Sequence, residues 1–232
     1  KGRFNHMDFL TDYVSTTDSL RGTVNIDLSI SGVWDQLVRN GTLTLENCRL
    51  YSKSFDNPIT KIEGQGTLKN NILSFDRFLC VKSANNSNEK NLFVNGEIDL
   101  TYFFKPDYDL QITGKDILFE SITDEIEGNV NLNLNISGRD TVSMIGTIGL
   151  NELTLLKEFN TSVLTDEEPE DEKSILLHYD IDFPIKESIS LVNSQIDAKL
   201  NGELHYTKWG NNSADYSGEL FFTGGKFYYY SE

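Results

Sequence analysis

The stretch Gly22-Thr-Val-Asn-Ile-Asp-Leu-Ser-Ile-Ser-Gly32 decides the fold prediction. Between its two glycines, apolar side chains occupy every second position and polar side chains occupy the positions between them. A period of two is typical of a β-strand, because successive side chains point to opposite faces of a sheet. The stretch therefore predicts a strand with one apolar face and one polar face.

A second copy of this stretch lies 106 residues further along the chain (128 − 22). It reads Gly128-Asn-Val-Asn-Leu-Asn-Leu-Asn-Ile-Ser-Gly138, and seven of its eleven positions are identical to those of the first copy. The whole repeat covers residues 17–50 and 123–155, and shorter alternating stretches fill most of the remaining chain. Only residues 7–14 suggest a helix. We therefore predict a single repetitive all-β domain over residues 1–232.

The chain is strongly acidic, since 36 Asp and Glu residues against 20 Lys and Arg residues give a net charge of -16. Such a surface repels phosphate backbones and anionic head groups at long range, which disfavours nucleic-acid binding and electrostatic membrane docking. The densest acidic run, residues 165–173, predicts a loop insertion, because like-charge repulsion and Pro169 oppose a packed strand.

Membrane and export signals are not found in the sequence. No run of 18 apolar residues is present, so we expect no membrane-spanning helix. The opening Lys-Gly-Arg-Phe has neither an initiator Met nor the apolar region of a signal peptide. We interpret the chain as a segment of a longer protein, with any anchor or export signal outside it.

Residue types used in catalysis are present but do not form a recognisable site. CxxC, HxxH, GxSxG and Gly-rich phosphate-loop motifs are missing, so we predict no catalytic residues, no metal, no cofactor and no enzyme. The alternate acids Asp107/Asp109 and Asp180/Asp182 have a spacing that suits calcium, but we interpret them as polar strand faces. His205, inside an alternating strand, is interpreted as a structural or surface residue.

The two cysteines, Cys48 and Cys80, are too few for a disulfide framework. Free and partly buried thiols are the favoured interpretation, and a single bridge in an oxidising compartment remains the alternative. The aromatic end of the chain, Phe221, Phe222 and residues 227–230, predicts a half-buried strand because aromatic residues favour strands. A surface for stacking sugars is the alternative interpretation.

The apolar strand faces have to be covered, and the period of two allows two solutions. Two sheets can pack face to face in a β-sandwich. One sheet can instead curl along its length and leave an apolar trough between its two halves. The trough would suit acyl chains, because each buried CH₂ group contributes about 0.8 kcal/mol.

The last part of the chain, residues 177–232, carries a specific order of strand motifs. These motifs are His178-Tyr-Asp-Ile-Asp-Phe-Pro184, Ser188-Ile-Ser-Leu-Val-Asn193, Ile196-Asp-Ala-Lys-Leu-Asn-Gly-Glu-Leu204, Tyr216-Ser-Gly-Glu-Leu220 and Gly224-Gly-Lys-Phe-Tyr-Tyr-Tyr230. In this order they resemble the C-terminal region of the TamB family, the inner-membrane-anchored subunit of the bacterial translocation and assembly module. The two glycine-bounded repeats resemble the degenerate repeat units of that family. The family's anchor helix and the Gly…Phe…Gly stretch that follows its aromatic strand are not part of this sequence.

The resemblance implies a β-taco fold, in which a long sheet curls into a trough with an apolar inner wall. It implies a periplasmic bridge between the two membranes of a diderm bacterium, anchored in the inner membrane in the full-length protein. The implied cargo is phospholipid, bound through its acyl chains, or nascent outer-membrane proteins. The implied partner is an Omp85-type barrel similar to TamA, contacted through regions beyond this chain.

If the trough exists, the inward alternate positions of the predicted strands line it. These are Val24, Ile26, Leu28, Ile30, Leu43, Leu45, Val130, Leu132, Leu134, Ile136, Ile181, Phe183, Ile189, Leu191, Ile196, Leu200, Leu220 and Phe222. A filled core made of the same residues is one alternative. A glycan-binding or scaffold β-module without a lipid groove, recognising glycan through Trp34, Trp209 and tyrosines, is another.

Overall fold

A computed structural model of the protein describes residues 1–6, 17–33, 36–52, 57–82, 89–120, 126–156 and 176–228. The predicted helix at residues 7–14 and the acidic loop at residues 165–173 lie outside these ranges. The described residues contain no helix and form twelve strands: β1 (Gly2–His6), β2 (Thr17–Ser31), β3 (Val38–Ser52), β4 (Ile59–Lys69), β5 (Ile72–Val81), β6 (Leu92–Asp99), β7 (Asp107–Glu120), β8 (Ile126–Gly138), β9 (Thr141–Leu155), β10 (Leu176–Val192), β11 (Ile196–Trp209) and β12 (Asp215–Phe227).

All twelve strands belong to one sheet, in which their spatial order is the order of the chain. Strands β1 and β12 are its two edges. Every neighbouring pair is antiparallel except β9 and β10, which are parallel. The all-β prediction is confirmed. The alternative of two separate sheets is wrong, because one hydrogen-bonded ladder joins β1 to β12.

The two strands that flank the acidic run in the sequence, β9 and β10, are parallel neighbours in the sheet. Met144 lies opposite Tyr179 in the parallel register, so β9 and β10 both run from the same end of the sheet. Parallel neighbours need a crossover connection of a dozen or more residues, because the chain must return to the end at which the first strand began. The acidic run lies in the sequence between β9 and β10, outside the described residues.

Buried apolar side chains form a row across the sheet, which we call the apolar belt. Several of its members on neighbouring strands lie opposite one another, as Cys48 lies opposite Ile62 and Ile189 lies opposite Leu200. Side chains in such positions are close enough to pack together, so the belt is the core of the sheet. The belt consists of Val24, Cys48, Ile62, Cys80, Leu92, Ile117, Val130, Leu153, Ile185, Ile189, Leu191 and Leu200.

Four β-bulges keep the belt on one face of the sheet. In each, one residue has a left-handed backbone with φ of 48–50°, the register shifts, and the next residue belongs to the belt. The extra residue reverses the alternation, so that the inward positions of β3 change from odd-numbered Leu45 to even-numbered Cys48. The left-handed residues are Asn47, Lys61, Asp116 and Glu152.

The two copies of the sequence repeat build the same local structure. Gly22 of β2 faces the β3 bulge, and a Cβ at this position would lie 2.5 Å from the Cα of Cys48. Gly128 of β8 faces the β9 bulge, where a Cβ would lie 2.6 Å from the Cα of Leu153. Glycine is required here because the backbones of the two strands approach more closely than a side chain allows.

Both cysteines are free thiols, as the favoured interpretation predicted. Cys48 and Cys80 are buried in the apolar belt on β3 and β5. Burial raises the pKa of the Cys80 thiol to about 11, so this side chain stays protonated and acts as a small apolar residue.

Replacing either repeat glycine should destabilise the sheet. Gly22→Ala and Gly128→Ala should each lower the free energy of unfolding by roughly 1–3 kcal/mol, because the new Cβ meets the backbone of the neighbouring strand. Urea unfolding followed by circular dichroism measures the change. Gly224→Ala is the matched control, because its Cβ would meet no atom within 4 Å. Equal unfolding midpoints for all three variants would contradict the close strand approach.

Candidate functional site

An apolar cavity of about 790 Å³ lies on the belt face of the sheet. Its size falls within the range of about 300–1,000 Å³ that small-molecule sites occupy. The lining comes from strands between β4 and β12 and from Lys82, and it consists of Ile59, Lys82, Leu92, Ile117, Leu118, Phe119, Ile126, Val130, Leu132, Ile148, Leu150, Leu153, Leu155, Tyr179, Ile181, Phe183, Ile185, Ile189, Leu200, Leu204, Tyr206, Tyr216 and Leu220.

The alternation of strands β10 to β12 explains how their side chains reach the cavity. On β10 the odd-numbered residues face it, and on β11 and β12 the even-numbered residues do so, because the antiparallel register pairs Ile181 with Tyr206 and Tyr206 with Tyr216. Ile181 is 5% exposed and lies deep in the cavity, whereas Tyr216 is 61% exposed. The cavity is therefore deep at β10 and reaches solvent at the edge strand β12.

Seven of the eighteen residues predicted to line a trough line this cavity. They are Val130, Leu132, Ile181, Phe183, Ile189, Leu200 and Leu220. The other eleven lie elsewhere on the sheet, six of them on β2 and β3: Val24, Ile26, Leu28, Ile30, Leu43, Leu45, Leu134, Ile136, Leu191, Ile196 and Phe222. Among these, Val24, Leu134 and Leu191 are buried, while Leu28, Ile30 and Phe222 are exposed.

The sequence prediction contained none of the lining residues that β7 and β9 contribute. On β9 the inward positions are Ile148 and Leu150 before the bulge and Leu153 and Leu155 after it. The bulge at Glu152 breaks the alternation, so no template with a strict period of two connects these residues. Lys82 and the three tyrosines of the lining were not predicted, because an alternating apolar pattern identifies only aliphatic residues and phenylalanine.

The tyrosines form a connected aromatic group at the β10–β12 side of the cavity. The ring centroids of Tyr179 and Tyr206 are 6.1 Å apart, and those of Tyr206 and Tyr216 are 5.2 Å apart. Burial raises the pKa of Tyr206, so its phenol stays protonated at neutral pH. Each tyrosine combines an apolar ring with a polar hydroxyl, which suits the boundary between an apolar space and water.

Lys82 introduces a positive charge at the opposite side of the cavity. It is only 7% exposed, and its ammonium donates a hydrogen bond to the backbone oxygen of Asn57 at 2.7 Å. The side chain of Asn57 donates in turn to the carboxylate of Glu120. Burial lowers the pKa of Lys82, and the charge of Glu120 acts in the opposite direction.

The position of Lys82 is fixed by Asn91, which lies where β6 begins between β5 and β7. The Asn91 side chain accepts a hydrogen bond from the Lys82 backbone N–H and donates one to the Lys82 carbonyl, both at 2.9 Å. It also donates to the carbonyl of Asp116 on β7 at 3.1 Å. The Asn91 amide therefore bridges the end of β5 and β7 beyond the start of β6, where no β6 backbone lies between them to pair with their groups.

The other groups considered from the sequence lie on the outer face or outside the described residues. Asp107 pairs with Arg139 at 3.3 Å. Trp209 stacks on His178 with ring centroids 3.9 Å apart, while Trp34 lies outside the described residues. Within the described ranges there is no group of three or more His, Cys, Asp and Glu side chains that could hold a metal ion, and no helix long and apolar enough to span a membrane.

His205 sits in an acidic group on the outer face of β10 and β11. Its Nδ1 lies 2.8 Å from Asp182 Oδ1, and its Nε2 lies 3.7 Å from Asp180 Oδ1. The hydrogen bond to Asp182 and the charges of Asp182, Asp180 and Asp215 raise the pKa of the imidazole. The group is an ion pair that forms when the imidazole is protonated.

We expect an NMR titration of His205 to give a pKa above the ordinary 6.5, and Asp182→Asn to lower it. Because the pKa is raised in the folded state, the ion pair stabilises the fold fully below pH 6.5, and this contribution is lost as the pH rises through the folded-state pKa. An unchanged His205 pKa in the Asp182→Asn variant would show that the 2.8 Å contact is not formed in solution.

Comparisons of the chain with protein-family models, with curated proteins and with solved structures give no match.

Proposed function

We propose that this chain binds the acyl chains of phospholipid in an apolar groove, as a segment of a TamB-like bridge between two membranes. The observation that carries the proposal is the cavity of about 790 Å³, whose lining is apolar except for Lys82 and the tyrosine hydroxyls. In this proposal the sheet is curled into a trough, and the cavity is the interior of that trough.

The burial of the belt supports a curled sheet. A flat single sheet leaves both of its faces in water, yet Val24, Ile117 and Ile189 of this sheet are only 2–3% exposed. The face that carries them therefore has to be covered, and curling lets the sheet cover its own face. One cavity lined by residues from Ile59 on β4 to Leu220 on β12 is expected of such a curl.

The unfilled volume supports a groove over a packed core. Packed protein interiors contain few voids larger than a water molecule, and strictly apolar cavities stay dry and take up apolar ligands. An acyl chain placed along the lining would contribute about 0.8 kcal/mol for each CH₂ group removed from water. The half-exposed Leu220 and the exposed Tyr216 mark the side at which the head group of a lipid would meet solvent.

The cellular setting in this proposal follows the resemblance to the TamB family. The full-length protein would be anchored in the inner membrane and cross the periplasm of a diderm bacterium. It would meet an Omp85-type barrel similar to TamA through regions outside this chain, and it would act without catalysis in outer-membrane biogenesis. The glycine-bounded repeats and the motifs of residues 177–232 support this setting.

A second candidate function is the binding of a nascent outer-membrane protein strand at β12. Every residue of β12 is exposed, and among the described strands one side of β12 has no neighbour. Such an edge presents unpaired N–H and C=O groups to which an extended strand can add. Phe221 and Phe222 are 55% and 54% exposed on opposite faces of this edge, where an added strand would gain apolar contacts.

A charge placed in the groove wall should abolish lipid binding. Leu132→Asp adds a carboxylate to the cavity lining, where burial of an unpaired charge costs several kcal/mol. We expect at least about a tenfold loss of co-purifying phospholipid, since 1.4 kcal/mol corresponds to tenfold. Native mass spectrometry and lipid extraction of the purified chain measure the loss.

Asn133→Asp is the matched control, because the neighbouring residue is exposed on the outer face and gains the same charge. It should retain bound phospholipid. Circular dichroism should show that Leu132→Asp remains folded, since the half-buried site borders a cavity. Unfolding of Leu132→Asp would instead indicate a filled core, and the absence of lipid from the unmodified chain would count against the groove.

A further inference from the structure

We propose that the cavity takes phospholipids whose head group carries a net negative charge, and that Lys208 selects them at the β12 side. The inference rests on the proposed function, because it assumes that acyl chains occupy the cavity. It adds the class of head group and the residue that distinguishes one class from another. The head group lies where the proposed function places it, beside the exposed Tyr216.

The position of Lys208 follows from the register of β10 and β11. Lys208 lies directly opposite Tyr179, and Tyr206 is two residues away from it on the same face of β11. Both tyrosines line the cavity. The next residue, Trp209, stacks on His178 on the outer face, so the alternation continues to the end of β11. Lys208 therefore lies on the cavity face, just beyond the tyrosines.

The charged residues of the last three strands are divided between the two faces of the sheet. In residues 177–185 of β10, 198–208 of β11 and 215–222 of β12, the cavity face carries one charged side chain, that of Lys208. The acids of these three segments all occupy outer positions, and they are Asp180, Asp182, Glu203, Asp215 and Glu219. An anion beside the tyrosines therefore meets a cation and no acid on this part of the cavity face.

The ammonium of Lys208 can bind a ligand without losing a contact within the described part of the chain. Among the described residues it forms no ion pair and no hydrogen bond, whereas Lys105 and Arg139 at the same end of the sheet pair with acids. Lys208 is partly buried, as expected of a lysine whose alkyl part lies along the sheet while its ammonium reaches water. A phosphate drawn to this ammonium displaces water only.

The head groups of phospholipids differ in what they carry beyond the phosphate. The hydroxyls of Tyr206 and Tyr216 can donate hydrogen bonds to a phosphate oxygen, and Lys208 attracts it, so every phospholipid gains from these contacts. The ammonium of a zwitterionic head group is repelled by Lys208 and meets no acid on the cavity face of the three segments. A head group without an ammonium avoids both costs, so the net negative class is preferred.

The test uses the full chain and N-phenyl-1-naphthylamine, a neutral dye that fluoresces in apolar sites. Lauroyl lysophosphatidylglycerol and lauroyl lysophosphatidylethanolamine then compete with the dye, both below the concentration at which they form micelles. At about pH 7.5 the alkyl ammonium is protonated, so the two share acyl chain and phosphate and differ in net charge. Salt at about 0.15 M reduces the screening distance to about 8 Å, so distant surface charges contribute little. Inorganic phosphate is included as an anion without an acyl chain.

We expect the glycerol lipid to displace the dye at a concentration about fivefold below that of the ethanolamine lipid, the size of effect that a partly exposed charge pair gives. Lys208→Met should remove this preference, Lys208→Glu should reverse it and Lys208→Arg should keep it. The readout is a ratio of two concentrations for one variant, so a change in dye affinity cancels. Lys199→Met, which removes the same charge from an exposed outer position of β11, should behave as the unmodified chain does.

The outcomes separate this inference from the proposed function. If the dye does not bind the unmodified chain, the groove is wrong and the inference is wrong with it. If the dye binds but the two lipids compete equally, the selectivity is wrong and the groove stands, and this comparison needs no variant. A preference that is unchanged in Lys208→Met and Lys208→Glu would overturn the role of Lys208. Displacement of the dye by inorganic phosphate would indicate a free-anion site and would also overturn the inference.

Discussion

Strands β2 to β11 each have to present apolar residues to the same face of the sheet. A slip of one residue would turn each side chain to the opposite face, so the apolar belt exists only if the register is controlled at each pairing. The bulges at Asn47, Lys61, Asp116 and Glu152 provide this control on β3, β4, β7 and β9. Each takes one extra residue into a left-handed conformation, so that the strand changes its alternation and still places the next residue in the belt. The core and the cavity both depend on these four positions.

Two asparagines extend this control to the places where strands end. Asn71, which is buried, accepts a hydrogen bond from the Arg39 backbone N–H and donates to the Leu37 carbonyl, while its own carbonyl accepts from Leu100. Asn91 joins β5 and β7 in a similar way. An amide side chain carries a donor and an acceptor, so it can satisfy strand groups that would otherwise be buried without partners. The hydrogen bonds of Asn91 to the Lys82 backbone therefore help to set the orientation of Lys82 in the cavity.

The sequence predicts those parts of the structure that depend on local alternation. On β8 and β10 the pattern is unbroken over long stretches, and there the predicted inward residues Val130, Leu132, Ile181 and Phe183 line the cavity. On β7 and β9 a bulge reverses the alternation. Asn and Asp tolerate a left-handed backbone, which gives a weak signal at two bulges, but Lys61 and Glu152 give none. The exposure of β12 was not predictable either, because strand pattern does not reveal which strand lies at an edge.

The edge strand β12 combines exposed apolar residues with charges that oppose uncontrolled pairing. Asp215, Glu219 and Lys226 lie along it, and the net charge of the chain repels further copies. Glu219 also lies directly opposite Glu203 of β11, and like charges in such a pair destabilise a sheet by roughly 0.2–1 kcal/mol. The pairing of β12 with β11 is therefore weaker at Glu219 than it would be without this repulsion. Because Tyr216 and Leu220 of the same strand bound the cavity, a small outward movement of β12 would widen the cavity on the side that already reaches solvent.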